Sequence, residues 1–218
     1  MSPLTLLFDL DGTLTDSRPG IVSGMQYTLG VLGLPVPAEA SLLRFIGPPT
    51  HDAFRELLSS SDPELNERAI GIYRERYATL GLFESSVYPG VADGLAALCE
   101  GGATLFVATS KPQVFARQIL AHFGLARYFK RIYGSEFNGE RSVKGDLIAH
   151  VLTQEGIADP VSSIWMIGDR LHDIRGAKLN GLRSAGVLWG YGSREELTEA
   201  GADAVFENMP ELVEALID

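Results

Sequence analysis

Four polar stations punctuate an otherwise apolar framework: Asp9 with Asp11, Thr109 with Ser110, Lys144, and Asp169 with Asp173. The first pair closes the run Leu4-Thr5-Leu6-Leu7-Phe8, and Gly12 follows at once. Carboxylates at positions i and i+2 of a strand share a face. They repel unless a cation, a proton or a basic side chain compensates them. An acidic turn closing a buried strand accounts for the pair equally well, since Asp-Gly is a common turn dipeptide. The other stations must decide. As a set they suit phosphoryl transfer through a carboxylate nucleophile. Asp9 would attack phosphorus, while Asp11 would protonate the leaving oxygen and later deprotonate the attacking water. Thr109 or Ser110 would donate a hydrogen bond to the phosphoryl oxygens, and Lys144 would act as a compact point cation. Asp169 and Asp173 would join Asp9 and Asp11 in holding a hard cation. Mg²⁺ suits such a set, because it takes one or two carboxylates together with phosphate oxygens and waters.

For the stations to meet, the elements carrying them must end along one edge. The opening apolar run shows little alternation, the pattern of a strand covered on both faces in a parallel sheet. From Arg18 to Phe83 the spacing turns helical. Ile21, Met25, Leu29 and Leu32 share one face, Pro37-Ala38-Glu39 opens a short second helix, Thr50 caps a third, and Asp62-Pro63 starts a long fourth. Beyond Tyr88-Pro89-Gly90 strands and helices alternate. Strands are expected over 103–109, 131–134, 163–168, 184–188 and 204–206, and helices over 91–100, from Lys111-Pro112, over 144–154, 173–180 and 212–217. This alternation predicts an α/β fold, a doubly wound parallel sheet. The predicted organisation is a core of residues 1–16 and 85–218 interrupted by a small all-helical domain, 17–84. Ligands of such sheets collect at the carboxyl ends of the strands.

Composition narrows the partners. A formal charge of −10 over 218 residues excludes the basic surface of a nucleic-acid binder, and an anionic membrane would repel it. No apolar run approaches the roughly 20 residues needed to cross a bilayer. One cysteine, Cys99, excludes an internal disulfide and fits a reducing, cytoplasmic setting. The four histidines show no zinc-ligand spacing. The expected partner is a small phosphorylated metabolite, with the chain a monomer or a homodimer.

Asp9-Leu10-Asp11-Gly12-Thr13, Thr109-Ser110-Lys111, Lys144 and Gly168-Asp169-Arg170-Leu171-His172-Asp173 resemble the four ordered motifs of the haloacid dehalogenase superfamily, across nearly the whole chain. The loop Gly47-Pro48-Pro49, the stretch Tyr88-Pro89-Gly90 and the segment Gly134 through Gly139 are similar to its phosphoglycolate-phosphatase-like branch. Ser142-Val143-Lys144 and Gly186 through Gly192 look closest to 5′-nucleotidase-like members. The resemblance implies a Mg²⁺-dependent phosphatase with an aspartyl-phosphate intermediate and a helical cap that selects the substrate. Phosphoglycolate, a nucleoside 5′-monophosphate and a sugar phosphate all stay open. Gly12, Ser110, and in the cap Arg44 and Gly47, become candidate phosphate or substrate contacts, with a solvated helix face the alternative for Arg44. Asp173 is either a metal ligand or a residue behind the ligands. Lys111 reads as structural or substrate-facing, Arg170 as a partner of a motif carboxylate, and Tyr73, Tyr77 and Phe54 as cap core. A phosphomutase and a non-catalytic phosphate sensor are the rival readings. A phosphonatase is excluded because 18–83 contains no lysine for a Schiff base.

Overall fold

The computed structural model describes residues 4–47, 50–157 and 163–217. The chain divides into two compact units, Met1–Asp16 with Val87–Asp218 and Ser17–Ser86.

In the first unit six parallel strands form one sheet: β1 (Thr5–Phe8), β4 (Thr104–Pro112), β5 (Arg131–Ser135), β6 (Ile164–Gly168), β7 (Arg183–Val187) and β8 (Ala204–Phe206). Their spatial order is β5-β4-β1-β6-β7-β8. The chain therefore builds outward from β1 through β4 to β5, then crosses back to lay β6 on the other side of β1. That reversal is the topological switch point at which open α/β sheets bind ligands. The registers Phe8↔Val107 and Phe8↔Ile167 set the end of β1 beside the end of β6 and the carboxyl half of β4. Leu6, Leu7 and Phe8 are buried, as a central strand covered on both faces requires. Leu7, Phe106, Ala108 and Met166 pack with Leu147, Ile148 and Val151 of α7 (Lys144–Gln154) and Ala177 of α8 (Leu171–Leu179). Other helices of this unit are α5 (Val91–Glu100), α6 (Gln113–His122), α9 (Arg194–Ala200) and α10 (Met209–Ile217).

Several boundaries depart from expectation. β1 ends at Phe8, so Asp9 and Asp11 lie in the loop beyond it and the shared-face argument does not apply to them. β4 runs on to Pro112, so Lys111-Pro112 finishes a strand instead of opening a helix; its register shifts between Thr109 and Pro112. α8 starts at Leu171, which puts Asp173 inside its first turn. α9 was not anticipated, although Ser193 and Glu196 carry a capping signature: the Ser193 hydroxyl accepts from the Glu196 N–H at 3.1 Å.

The second unit holds α1 (Arg18–Val31), α2 (Glu39–Leu42), α3 (Thr50–Leu57) and α4 (Pro63–Arg76), the last continued by a π-helical turn, Tyr77–Gly81. Asp62 caps α4 by accepting from the Glu64 N–H at 3.0 Å, with Pro63 in the first turn. Phe54, Tyr73 and Tyr77 are buried, Phe54 edge-on to Tyr73 and Tyr73 stacked on Tyr77, so this aromatic row is core. The short extended pieces β2 (Thr15–Asp16) and β3 (Ser86–Val87) flank the insert in sequence.

Candidate active site

Hydrogen bonding continues one residue past β1: the Asp9 N–H donates to the Ile167 carbonyl at 2.9 Å. The chain then closes a tight loop in which the Gly12 N–H donates to Thr15, and the Leu14 and Thr15 N–H groups to Leu10, at 2.8–3.0 Å. Leu10 and Leu14 point into the core, so the loop is anchored by burial as well as by hydrogen bonds. Gly12 has φ +84°, and a Cβ there would fall inside the Asp169 carboxylate. Only glycine meets both conditions. Gly12 thus admits Asp169 to the loop, whatever contact it makes with substrate.

The loop separates the two aspartates by partner. Asp9 Oδ1 lies 2.9 Å from Lys144 Nζ. Asp11 Oδ2 lies 2.6 Å from Lys111 Nζ. Lys111 reaches it from the irregular end of β4, the kind of strand bulge that re-aims a side chain. Gly134 makes room for that irregularity, since a Cβ there would press on the Lys111 carbonyl and the Gln113 backbone. Thr109 is buried, and its hydroxyl oxygen accepts from the Lys111 N–H at 3.3 Å. The Ser110 carbonyl accepts from the Ser135 hydroxyl at 2.7 Å.

Lys144 is the first residue of α7 and is buried, an unfavourable place for a cation in isolation. Three groups compensate. Nζ lies 2.7 Å from Asp173 Oδ1 as well as beside Asp9, and donates to the Ala108 carbonyl at 2.9 Å. Burial alone would lower its pKa, but the charges of Asp173 and Asp9 outweigh that and hold it above the ordinary lysine value.

Asp9, Asp169 and Asp173 bring one carboxylate oxygen each within 4.8 Å of one another. The Asp11 carboxylate is not in this set; it is engaged by Lys111. Asp173 is oriented by the Arg170 N–H, which donates to Oδ2 at 3.2 Å, and Gly168 leaves the space its carboxylate occupies. Burial first, then the charges of Asp173 and Asp9, push the Asp169 carboxyl well above the usual range. Burial and Asp9 likewise raise Asp173, against the pull of Lys144, to about 6. When all three are ionised, one ammonium faces three carboxylates and two negative charges are left over. Asp9 Oδ1 and Asp173 Oδ1 are buried and accept no aligned hydrogen bond from any described residue. An all-oxygen donor set whose negative charge exceeds that of the one ammonium it faces fits a hard divalent cation such as Mg²⁺.

The Arg170 side chain pairs with Glu196 of α9 at 2.8 Å, and its charge also acts on the Asp169 carboxyl. His172 is exposed. In the helical unit Arg44 is exposed, pairs with Glu56 at 3.1 Å and lies over the Phe45 ring. Gly47 has φ +104°, and Pro48 and Pro49 lie outside the described residues. Sequence reasoning missed Lys111 as the partner of Asp11, because a lysine two residues beyond a strand-end threonine carries no signal of where a bulge will turn it.

Residues 6–187 match the family model described as haloacid dehalogenase-like hydrolase. A 5′-nucleotidase of Pseudomonas aeruginosa is 48% identical over 192 residues, 88% of this chain and 86% of its own. A tyrosine-protein kinase, PtkA, of Mycobacterium tuberculosis is 39% identical over 217 residues, 99% of this chain and 73% of its own. The crystal structure of a predicted phosphatase from Clostridium acetobutylicum superposes with a TM-score of 0.92 at 42% identity, covering 99% of each chain. The chain belongs to the haloacid dehalogenase-like hydrolases. Its enzyme class is that of a phosphoric monoester hydrolase, which the nucleotidase relative and the phosphatase structure share.

Proposed function

We propose that the chain hydrolyses a small phosphorylated metabolite, a nucleoside 5′-monophosphate first among the candidates, through an aspartyl-phosphate on Asp9 with Mg²⁺ as cofactor. The observation that carries the reading is the position of Lys144 Nζ, which lies between Asp9 and Asp173 in the acidic cluster. Asp9 is oriented by that ammonium and by its own backbone hydrogen bond, so its carboxylate is held in place for in-line attack on phosphorus. As the bond to the leaving oxygen breaks, Asp11 delivers a proton to it. Asp11 then takes a proton from the water that attacks the aspartyl-phosphate and returns Asp9 to its starting state. Thr109 and Ser110 stand where the carboxyl end of β4 meets this loop, suited to the phosphoryl oxygens. Asp9, Asp169 and Asp173 would hold the Mg²⁺, whose charge would offset that of the phosphoryl oxygens. The choice of nucleotide follows the name of the 48% identical relative; phosphoglycolate and sugar phosphates belong in the same assay.

The test is a panel of phosphorylated metabolites compared by kcat/KM with Mg²⁺, parent against Asp9→Asn. The variant should release phosphate at least about a thousandfold more slowly while keeping its fold, as a cooperative melting transition would show. Near-full activity in Asp9→Asn would sink the mechanism. Isomer formation faster than phosphate release would favour a mutase, and phosphorylation without turnover a sensor. A second reading, transfer of phosphate to a protein tyrosine, is motivated by the 39% identity with PtkA. It predicts that label from γ-³²P-ATP appears on a tyrosine peptide faster than as inorganic phosphate.

A further inference from the structure

The chemistry above makes no use of Trp189-Gly190-Tyr191-Gly192, which leaves β7 beside the carboxyl end of β6. We infer that this segment is a positioning element that sets the orientation of Asp169 toward a divalent cation; the inference rests on the metal site proposed above.

Asp169 is completely buried, and both of its carboxylate oxygens are addressed from this direction. Oδ2 accepts the Tyr191 N–H at 2.8 Å. Oδ1 accepts the Thr13 hydroxyl at 3.3 Å, and the Thr13 carbonyl is in turn held by the Trp189 indole N–H at 2.9 Å. The far end of the segment is anchored where the Tyr191 hydroxyl meets Asp16 Oδ1 at 2.9 Å.

The glycines explain how the backbone comes so close. A Cβ on Gly190 would overlap the Gly12 carbonyl oxygen and the Asp169 side chain, and a Cβ on Gly192 the Asp169 carbonyl oxygen. Neither has a left-handed φ, so proximity and not backbone angle is what requires glycine at both places. A carboxylate oxygen that accepts one hydrogen bond keeps a lone pair for a metal, and the bond decides where that lone pair points. Partners of this kind commonly carry about 10–100-fold in metal affinity.

Isothermal calorimetry with Mg²⁺, alongside melting of the metal-free protein, separates positioning from mere structural support. Gly190→Ala wedges a methyl group against Asp169 and should weaken Mg²⁺ binding about 10–100-fold. Trp189→Phe keeps a ring and removes the N–H that holds Thr13; it should weaken binding at least about threefold, with metal-free melting within a few degrees of the parent. Tyr191→Phe keeps the backbone donor to Asp169 and removes the hydroxyl that meets Asp16, so its Mg²⁺ affinity should stay within about twofold. Should Gly190→Ala fail to fold, Trp189→Phe decides the question alone. A parent chain that binds Mg²⁺ while Trp189→Phe matches it within twofold would overturn the positioning role. A parent chain that binds no Mg²⁺ would instead overturn the metal site on which the inference rests.

Discussion

Lys111 Nζ stands 2.6 Å from Asp11 Oδ2, both side chains are largely buried, and 100 residues of chain separate them. The ammonium fixes the carboxylate's rotamer and occupies one of its oxygens. The other, Oδ1, is buried and accepts no aligned hydrogen bond from any described residue; in the mechanism proposed above it would be the oxygen that exchanges the proton. Removing one partner of such a pair strands the other. Lys111→Met should therefore destabilise the protein by about 3–5 kcal/mol in urea unfolding. Adding Asp11→Asn should recover a large part of that loss, because the stranded charge is gone. Equal stabilities of the single and double variants would argue that the pair contributes nothing as a pair.

Metal and pH should act together on stability. The Asp173 carboxyl is raised to about 6, and Asp169 rises well above the usual range, in both cases through burial first. A carboxyl that holds its proton more tightly when folded contributes stability that is full below its unfolded pKa, about 4, and lost as pH climbs through the folded value. Metal-free protein should thus melt lower at neutral pH than these two groups allow at about pH 4. Mg²⁺ at 100 times its Kd should restore about 2.7 kcal/mol near neutrality and much less at about pH 5, where protons compete for the same oxygens. Melting scans with Mg²⁺ and with EDTA at both pH values check this. A pH-independent Mg²⁺ effect would contradict it.

Gly12→Ala should damage the site twice over. A φ of +84° costs an alanine about 1–2 kcal/mol, and the new methyl group displaces the Asp169 carboxylate. Urea unfolding should show at least that loss, and Mg²⁺ affinity should fall by about tenfold or more. Intact Mg²⁺ affinity in the variant would mean that Asp169 has room to move.

Asp62→Ala offers the contrasting case. It removes the side-chain cap of α4 and should cost about 1 kcal/mol of stability. Asp62 belongs to the helical unit and to none of the catalytic motifs, so kcat/KM should change less than about twofold. A large change in kcat/KM would tie α4's start to turnover.

Much of this was written locally in the chain. The uninterrupted apolar run before Asp9, the helical rhythm from Arg18 to Phe83 and the later alternation specify a parallel sheet with a helical insert, because burial on one face or two imposes its own period on a sequence. Lys144–Gln154 and Val91–Glu100 could be read to the residue, from the apolar face of the first and the Gly101-Gly102 stop of the second. Ser193-Arg194-Glu195-Glu196 carried a capping signature as well, yet the helix it opens is short and offers too little apolar periodicity to stand out.

The residue types needed for phosphoryl transfer, and the order in which they occur, were determined by the sequence by itself. Which carboxylate faces which ammonium was not. Asp9 and Asp11 are two residues apart, and strand geometry would have placed them on one face. The loop beyond β1 sends one to Lys144 and the other to Lys111 instead. That division depends on a register shift in β4, on the first turn of α7, and on glycines whose missing side chains leave room for Asp169. Each is a matter of packing between segments far apart in the chain. Local propensity carries no information about such contacts, so only the tertiary structure could assign the partners.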